Sequence, residues 1–217
     1  MRIGVFGGTF DPPHVGHLIL AADAIDALRL DKLVLVPANA QPLKVETPAI
    51  ASPEERLQMV ELAVAGDDRY SVEDAEIRRP GLSFTVDTLE ELARRNPGAE
   101  LFLLVGEDSL RSFDRWRNPG RIRELATVAV MHRSGSAEPL TVGHGKDVVM
   151  STRRVDVSST EIRERLRAGK SVRGFVPDAV GNFIRERGLY RLRAIERGRR
   201  VNVDRSAKRS VRNSPRP

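Results

Sequence analysis

No cysteine occurs among the 217 residues, so disulfides, thiolate metal sites and cysteine nucleophiles are all excluded. That absence suits a reducing compartment, and the expected location is the cytoplasm. Long apolar runs are missing as well. The first one, Arg2–Phe6, breaks at Gly7-Gly8, too short for a signal-peptide core, and no later stretch approaches bilayer-spanning length. No membrane partner is expected. There is a single tryptophan and there are only four histidines, so where these few residues fall carries information. No internal repeat is visible.

Charge is present but lopsided. The chain carries +6 overall, yet residues 191–217 hold ten Lys and Arg against two acids, +8, which leaves −2 on residues 1–190. A tail, not a basic face on a folded body, raises the isoelectric point. Its apolar residues Leu192, Ile195, Val201, Val203 and Val211 follow no period, and it ends Asn-Ser-Pro-Arg-Pro, so disorder is expected beyond about residue 195. The domain division is therefore 1–190 for a single folded domain and 191–217 for a basic tail. Nucleic-acid binding through that tail is a function class of its own. It makes no use of the motifs in the body.

Short apolar runs alternate with stretches of helical period, which predicts βα units around a parallel sheet. The expected strands are Arg2–Phe6, Lys32–Val36, Glu100–Val105, Thr127–Met131 and Arg154–Val157. Leu18, Ala21, Ala22, Ile25 and Leu28 predict one helix, and Leu57, Val60, Leu62 and Val64 a less regular second. Val86, Leu89, Leu92 and Ala93 predict a third, and a last runs from Asp178 to Arg187, closed by Gly188. Gln41–Pro53 and Arg133–Lys146 read as loops that could wall a crevice. The fold class is α/β: a Rossmann-like, doubly wound, mostly parallel sheet with helices on both faces.

The first strand runs directly into Gly7-Gly8-Thr9-Phe10-Asp11-Pro12-Pro13-His14-Val15-Gly16-His17. Glycines admit a ligand close to the backbone and offer N–H groups to phosphate oxygens. Asp11 is placed to cap the following helix, and the prolines suit its start. His14 and His17, three apart, share a face at the positive end of that helix. Together these predict an anion site. Two histidines without a third ligand make a poor zinc site, so no protein-held metal is expected. Neither the P-loop nor the dinucleotide-binding glycine pattern is present. A second candidate turn is Ser158-Ser159-Thr160-Glu161-Ile162-Arg163. Ser158 with Glu161 fits a capping box, and three hydroxyls with a guanidinium can hold the far end of a triphosphate.

These two turns resemble those of the nucleotidyltransferase superfamily with the His-x-Gly-His signature. The match is closest to the bacterial nicotinate mononucleotide adenylyltransferases. It extends from Met1 to about Tyr190, through Pro37–Lys44, Ser83–Leu89, Gly106–Leu110 with Trp116, and Gly188-Leu189-Tyr190. The resemblance implies a reaction, nicotinate mononucleotide plus ATP giving deamido-NAD and pyrophosphate, with Mg2+ carried by the ATP phosphates. It implies ATP binding by Gly7, Gly8, Thr9, Phe10, His14, His17, Ser159, Thr160 and Arg163, with His14 and His17 catalytic. It implies substrate binding by Lys44, Thr85, Gly106, Asp108 and Trp116, the tryptophan stacking on the pyridine ring. Arg56 is expected to face a phosphate or solvent. Nicotinamide mononucleotide and phosphopantetheine are the alternative acceptors, and a homo-oligomer is compatible with the sequence.

Overall fold

The computed structural model describes residues 1–42, 48–133 and 147–191. Lys44, most of the Gly/Ser-rich loop and the tail beyond Arg191, with the expectations attached to them, lie outside the described residues. Six strands form one sheet: β1 (Arg2–Gly8), β2 (Lys32–Pro37), β3 (Tyr70–Val72), β4 (Glu100–Gly106), β5 (Ala126–Arg133) and β6 (Val148–Thr152). They lie in the order β3-β2-β1-β4-β5-β6, and every neighbouring pair is parallel. The chain builds outward from β1 in one direction, then returns to build outward from β4 in the other. Loops leaving the C-terminal ends of β1 and β4 therefore diverge and open a crevice between them.

Register explains how the two faces fill. Val5 lies beside Val34 and Leu103, and Leu103 beside Val128, so these side chains point to the same side of the sheet. There they pack against Val86, Leu89 and Leu92 of α4 (Thr85–Arg95) and Ile122 of α6 (Pro119–Leu125). The opposite face carries Phe6, Leu33, Leu35, Phe102, Leu104 and Ala129. It is covered by Ala21, Ala24, Ile25 and Leu28 of α1 (Val15–Leu28) and Val60 of α2 (Pro53–Val64). Burial on both faces is why these strands read as unbroken apolar runs. A third cluster joins Met59 of α2, Ile162 of α7 (Ser159–Arg167), Val180 and Ile184 of α8 (Asp178–Arg187), and Tyr190.

Some elements differ from expectation. The last strand is Val148–Thr152, not Arg154–Val157, because Arg154 and Asp156 are exposed and pair with each other at 3.0 Å instead of contributing a buried face. In α2 the buried side chains are Arg56, Met59 and Val60, whereas Leu62 is exposed; Ser52 and Glu55 close a capping box with Pro53 in the first turn. β3, α3 (Ala75–Arg78), α5 (Glu107–Arg111) and α6 are too short to register as periods. No helix among the described residues is long and apolar enough to cross a membrane.

Candidate active site

β1 delivers Gly7 and Gly8 to the crevice, and the two glycines do different things. A Cβ on Gly7 would meet nothing within 4 Å, whereas one on Gly8 would sit 2.9 Å from the Phe10 ring. Phe10 is buried with a left-handed backbone (φ 51°) and packs edge-on against Phe6 and His17, with ring centroids 5.8 and 5.0 Å away. Gly8 is thus demanded by the protein's own aromatic cluster. α1 then begins at Val15, with His14 in the extended conformation as its N-cap. The His14 backbone N–H donates to His17 Nδ1 at 3.2 Å, and the two imidazoles stack at 3.7 Å. A Cβ on Gly16 would lie 2.9 Å from His14 Nδ1, so the glycine between the histidines makes room for the first ring. A neutral imidazole that accepts at Nδ1 carries its proton on Nε2, which leaves His17 a donor for the cleft.

Asp11 does not cap α1, contrary to the sequence reading. Its buried carboxylate accepts from the backbone N–H groups of Ile50 (2.8 Å) and Ala51 (3.1 Å) and from the Tyr190 hydroxyl (2.7 Å). The second turn is pinned to the same place. Ser158 caps α7 by accepting from the Glu161 N–H, while the Ser159 hydroxyl donates to the Pro12 carbonyl at 2.8 Å. Arg163 donates to the Asp11 carbonyl at 2.7 Å and to the Thr160 hydroxyl at 3.0 Å, its guanidinium 3.9 Å from the Asp11 carboxylate. Arg56 is neither solvated nor aimed at a ligand. It is 1% exposed and donates to the carbonyls of Thr9 (2.8 Å), Ala38 (2.5 Å) and Asn39 (3.1 Å), tying the loop after β1 to the loop after β2.

A cleft of about 1100 Å³ opens at this end of the sheet. Gly7, Gly8, Thr9, Phe10 and His17 border it, as do Ser159, Thr160 and Arg163. Thr85 at the first position of α4, Gly106 at the end of β4, Asp108 on α5 and Trp116 border the same space. His14 is buried and does not border it. Trp116 packs on Phe113 with centroids 5.1 Å apart. Arg117, not singled out in the sequence, also lines the cleft. It lies over the Phe84 ring at 4.7 Å and 3.8 Å from Asp87, and its adjacency to the only tryptophan was the available signal.

Burial decides the charge of the histidines. Desolvation lowers His14 to about 4, and His17 falls well below its ordinary value through desolvation and then through the neighbouring His14. Both are neutral at pH 7. Tyr190 is pushed far up by burial first and then by the charge of Asp11, so it stays a donor. Among the described residues no group of three or more His, Asp or Glu is placed to hold a metal ion.

The chain is similar to known proteins over most of its length. The sequence model of the cytidylyltransferase-like family matches residues 5–165. A Gemmatimonas aurantiaca protein named "Probable nicotinate-nucleotide adenylyltransferase" is 48% identical over 198 residues, 88% of this chain and 93% of the relative. A Thermus thermophilus protein of the same name is 45% identical over 88% of this chain and all of the relative. The fold superposes on Plasmodium falciparum nicotinic acid mononucleotide adenylyltransferase complexed with NaAD. The TM-score is 0.70, with 15% identity, over 87% of this chain and 97% of that one.

Two outcomes are expected. Tyr190→Phe removes the hydroxyl that donates to Asp11 and touches Met59 Sδ at 3.9 Å, so stability should fall by about 1–3 kcal/mol, a drop of several degrees in Tm; an unchanged Tm would show that the bond contributes nothing. Below pH 6.5 the unfolded chain takes up a proton at His14 that the folded chain refuses until about pH 4. Stability due to this group is therefore lost as pH falls through that window, about 2 kcal/mol between pH 7.5 and 5. Urea unfolding of wild type and His14→Asn at both pH values measures it: the variant should lose less, and equal losses would mean His14 is not held neutral.

Proposed function

We infer the reaction from one premise: the chain belongs to the cytidylyltransferase-like family, and within it to the nicotinate-nucleotide adenylyltransferases. It transfers the adenylyl group of ATP to nicotinate mononucleotide, giving deamido-NAD and pyrophosphate, a step of NAD biosynthesis. The observation that carries this reading is the convergence of both turns and of Thr85, Asp108 and Trp116 on one cleft large enough for two nucleotides side by side.

An oxygen of the mononucleotide phosphate attacks the α-phosphorus of ATP. A P–O bond forms there, the bond to the bridging oxygen breaks, and its electron pair leaves with pyrophosphate. The attacking group is already a nucleophile, so the protein's work is positioning and stabilising charge. His17, bordering the cleft with its Nδ1 engaged by the His14 N–H, donates through Nε2 to the transferring phosphate. His14 holds that ring by stacking. Ser159, Thr160 and Arg163 sit where the pyrophosphate end lies. The unsubstituted edge at Gly7 lets the α-phosphate approach the backbone.

Thr85 offers a hydroxyl and, with no side chain capping α4, a free N–H to the pyridine carboxylate. Arg117 adds a cation near it, a feature that favours nicotinate over its neutral amide. Trp116 supplies a stacking surface, and Asp108 accepts from a ribose hydroxyl. Mg2+ fits as a passenger on the phosphates: the Asp11 oxygens are taken by three donors and Glu76 accepts from Thr88, which leaves Asp108 as the cleft carboxylate open to solvent. When bound, the ion neutralises charge on the leaving pyrophosphate.

Pyrophosphate release from MgATP measured with nicotinate mononucleotide, nicotinamide mononucleotide and phosphopantetheine in turn should be fastest with the first. Equal or faster turnover with either of the others overturns the acceptor assignment. His17→Ala should lower kcat by roughly 10² or more, the scale of one lost transition-state donor; a near-normal kcat would remove His17 from the chemistry.

A further inference from the structure

Glu76 is a buried carboxylate on the wall of the cleft that none of the steps above uses. It is 7% exposed, sits on α3 and borders the cleft with Ser83 and Thr88. The Thr88 hydroxyl donates to Glu76 Oε1 at 2.7 Å. The Ser83 side chain lies close enough to Glu76 to favour its charged form. Ser83 Oγ in turn accepts from the Asn39 N–H at 2.9 Å, and the Ser83 N–H donates to the Ala40 carbonyl at 2.9 Å. Arg79, a neighbouring cation, is engaged with Glu91 at 3.2 Å. Burial raises the Glu76 carboxyl, with the Thr88 and Ser83 hydroxyls opposing that shift.

The two hydroxyls that Glu76 gathers flank Phe84 and Thr85. Ser83 immediately precedes this pair, and Thr88 lies one helical turn beyond Thr85. Phe84 has no side-chain cap bond of its own to set the start of α4. We propose that Glu76 is a positioning residue for the acceptor half of the cleft: by holding Ser83 and Thr88 together it fixes the first turn of α4 in the orientation that receives the mononucleotide. The inference rests on the reading of α4 as the acceptor-binding helix and adds to it the group that aims that helix. A carboxylate suits the task because it can accept from hydroxyls on both sides, where an aliphatic side chain of the same size would leave the buried Thr88 hydroxyl without that partner.

The test separates aiming from mere stability. KM for the acceptor and KM for ATP are measured in wild type, Glu76→Ala, Glu76→Gln, Thr88→Val and Ser83→Ala. Glu76→Ala should raise the acceptor KM about 10-fold while the ATP KM stays within about two-fold, since small misplacement of a binding group is felt strongly and locally. Glu76→Gln should recover most of the loss, because its amide oxygen still accepts from Thr88. Equal changes in both KM values, no change, or a glutamine as damaging as the alanine would overturn the proposal. Should Glu76→Ala fail to fold, Thr88→Val and Ser83→Ala decide the matter: each should raise the acceptor KM several-fold, and unchanged values refute the role. The acceptor used is whichever of the three candidates wild type turns over fastest. A wild type that prefers another acceptor therefore sinks the nicotinate assignment while the Glu76 comparison still reads out.

Discussion

Asp11 has almost no access to water, and a carboxylate in that position must find its donors within the protein. It finds them in two separate parts of the chain. Backbone N–H groups of Ile50 and Ala51 come from the segment leading into α2, and the hydroxyl of Tyr190 comes from the end of the folded body. Arg163 approaches from α7, bonded to the Asp11 carbonyl. A charge this deeply buried is tolerated only while its partners stay in place, so the arrangement is cooperative: moving any one segment exposes the others to the penalty. The turn after β1 is shaped less by the residues that border the cleft than by the acid behind them.

From that point a series of polar contacts runs along the back of the cleft. Arg56 gathers the carbonyls of Thr9, Ala38 and Asn39, which fastens the loops after β1 and β2 to one guanidinium. Asn39 passes the connection to Ser83. Through Glu76 it reaches Thr88 and the start of α4. Parallel strands leave many loop carbonyls and N–H groups at their C-terminal ends, where ladder bonds stop. In this protein a handful of buried charged side chains satisfies them, and the cleft inherits its rigidity from that solution.

How much was legible beforehand follows the same division. The strands β1, β2, β4 and β5 and the helices α1, α4 and α8 announce themselves through composition and period, since burial on both faces or one face leaves a pattern in sequence. The Gly-Gly and His-x-Gly-His residues announce themselves because such residue types rarely cluster by chance. Asp11, Arg56 and Glu76 were opaque or misread: a charged residue in a sequence looks the same whether it is solvated or buried, and only tertiary contacts decide. Asp11 looked like a helix cap because caps are local, whereas its true partners lie 39, 40 and 179 residues away. The strand placed at Arg154–Val157 failed for a related reason. Alternation of charge and valine imitates a half-buried strand, but Arg154 and Asp156 satisfy each other in solvent.

The neutrality of the two histidines completes the electrostatic logic of the cleft. Lysines in their place would carry fixed charges into a desolvated turn, and the empty protein would have to accommodate them with counter-anions that compete with a triphosphate. A buried imidazole avoids that. It keeps a polar N–H without bearing charge, so the folded chain is not strained when the cleft is empty. His17 Nδ1 already accepts from the His14 N–H, so a second proton on that ring would break this bond, and His17 meets negative charge as a neutral Nε2–H donor. Stacking against His14 works the same way, because charge on one ring disfavours charge on the other. His17 borders the cleft and His14 does not, which makes His17 the ring that presents its N–H there.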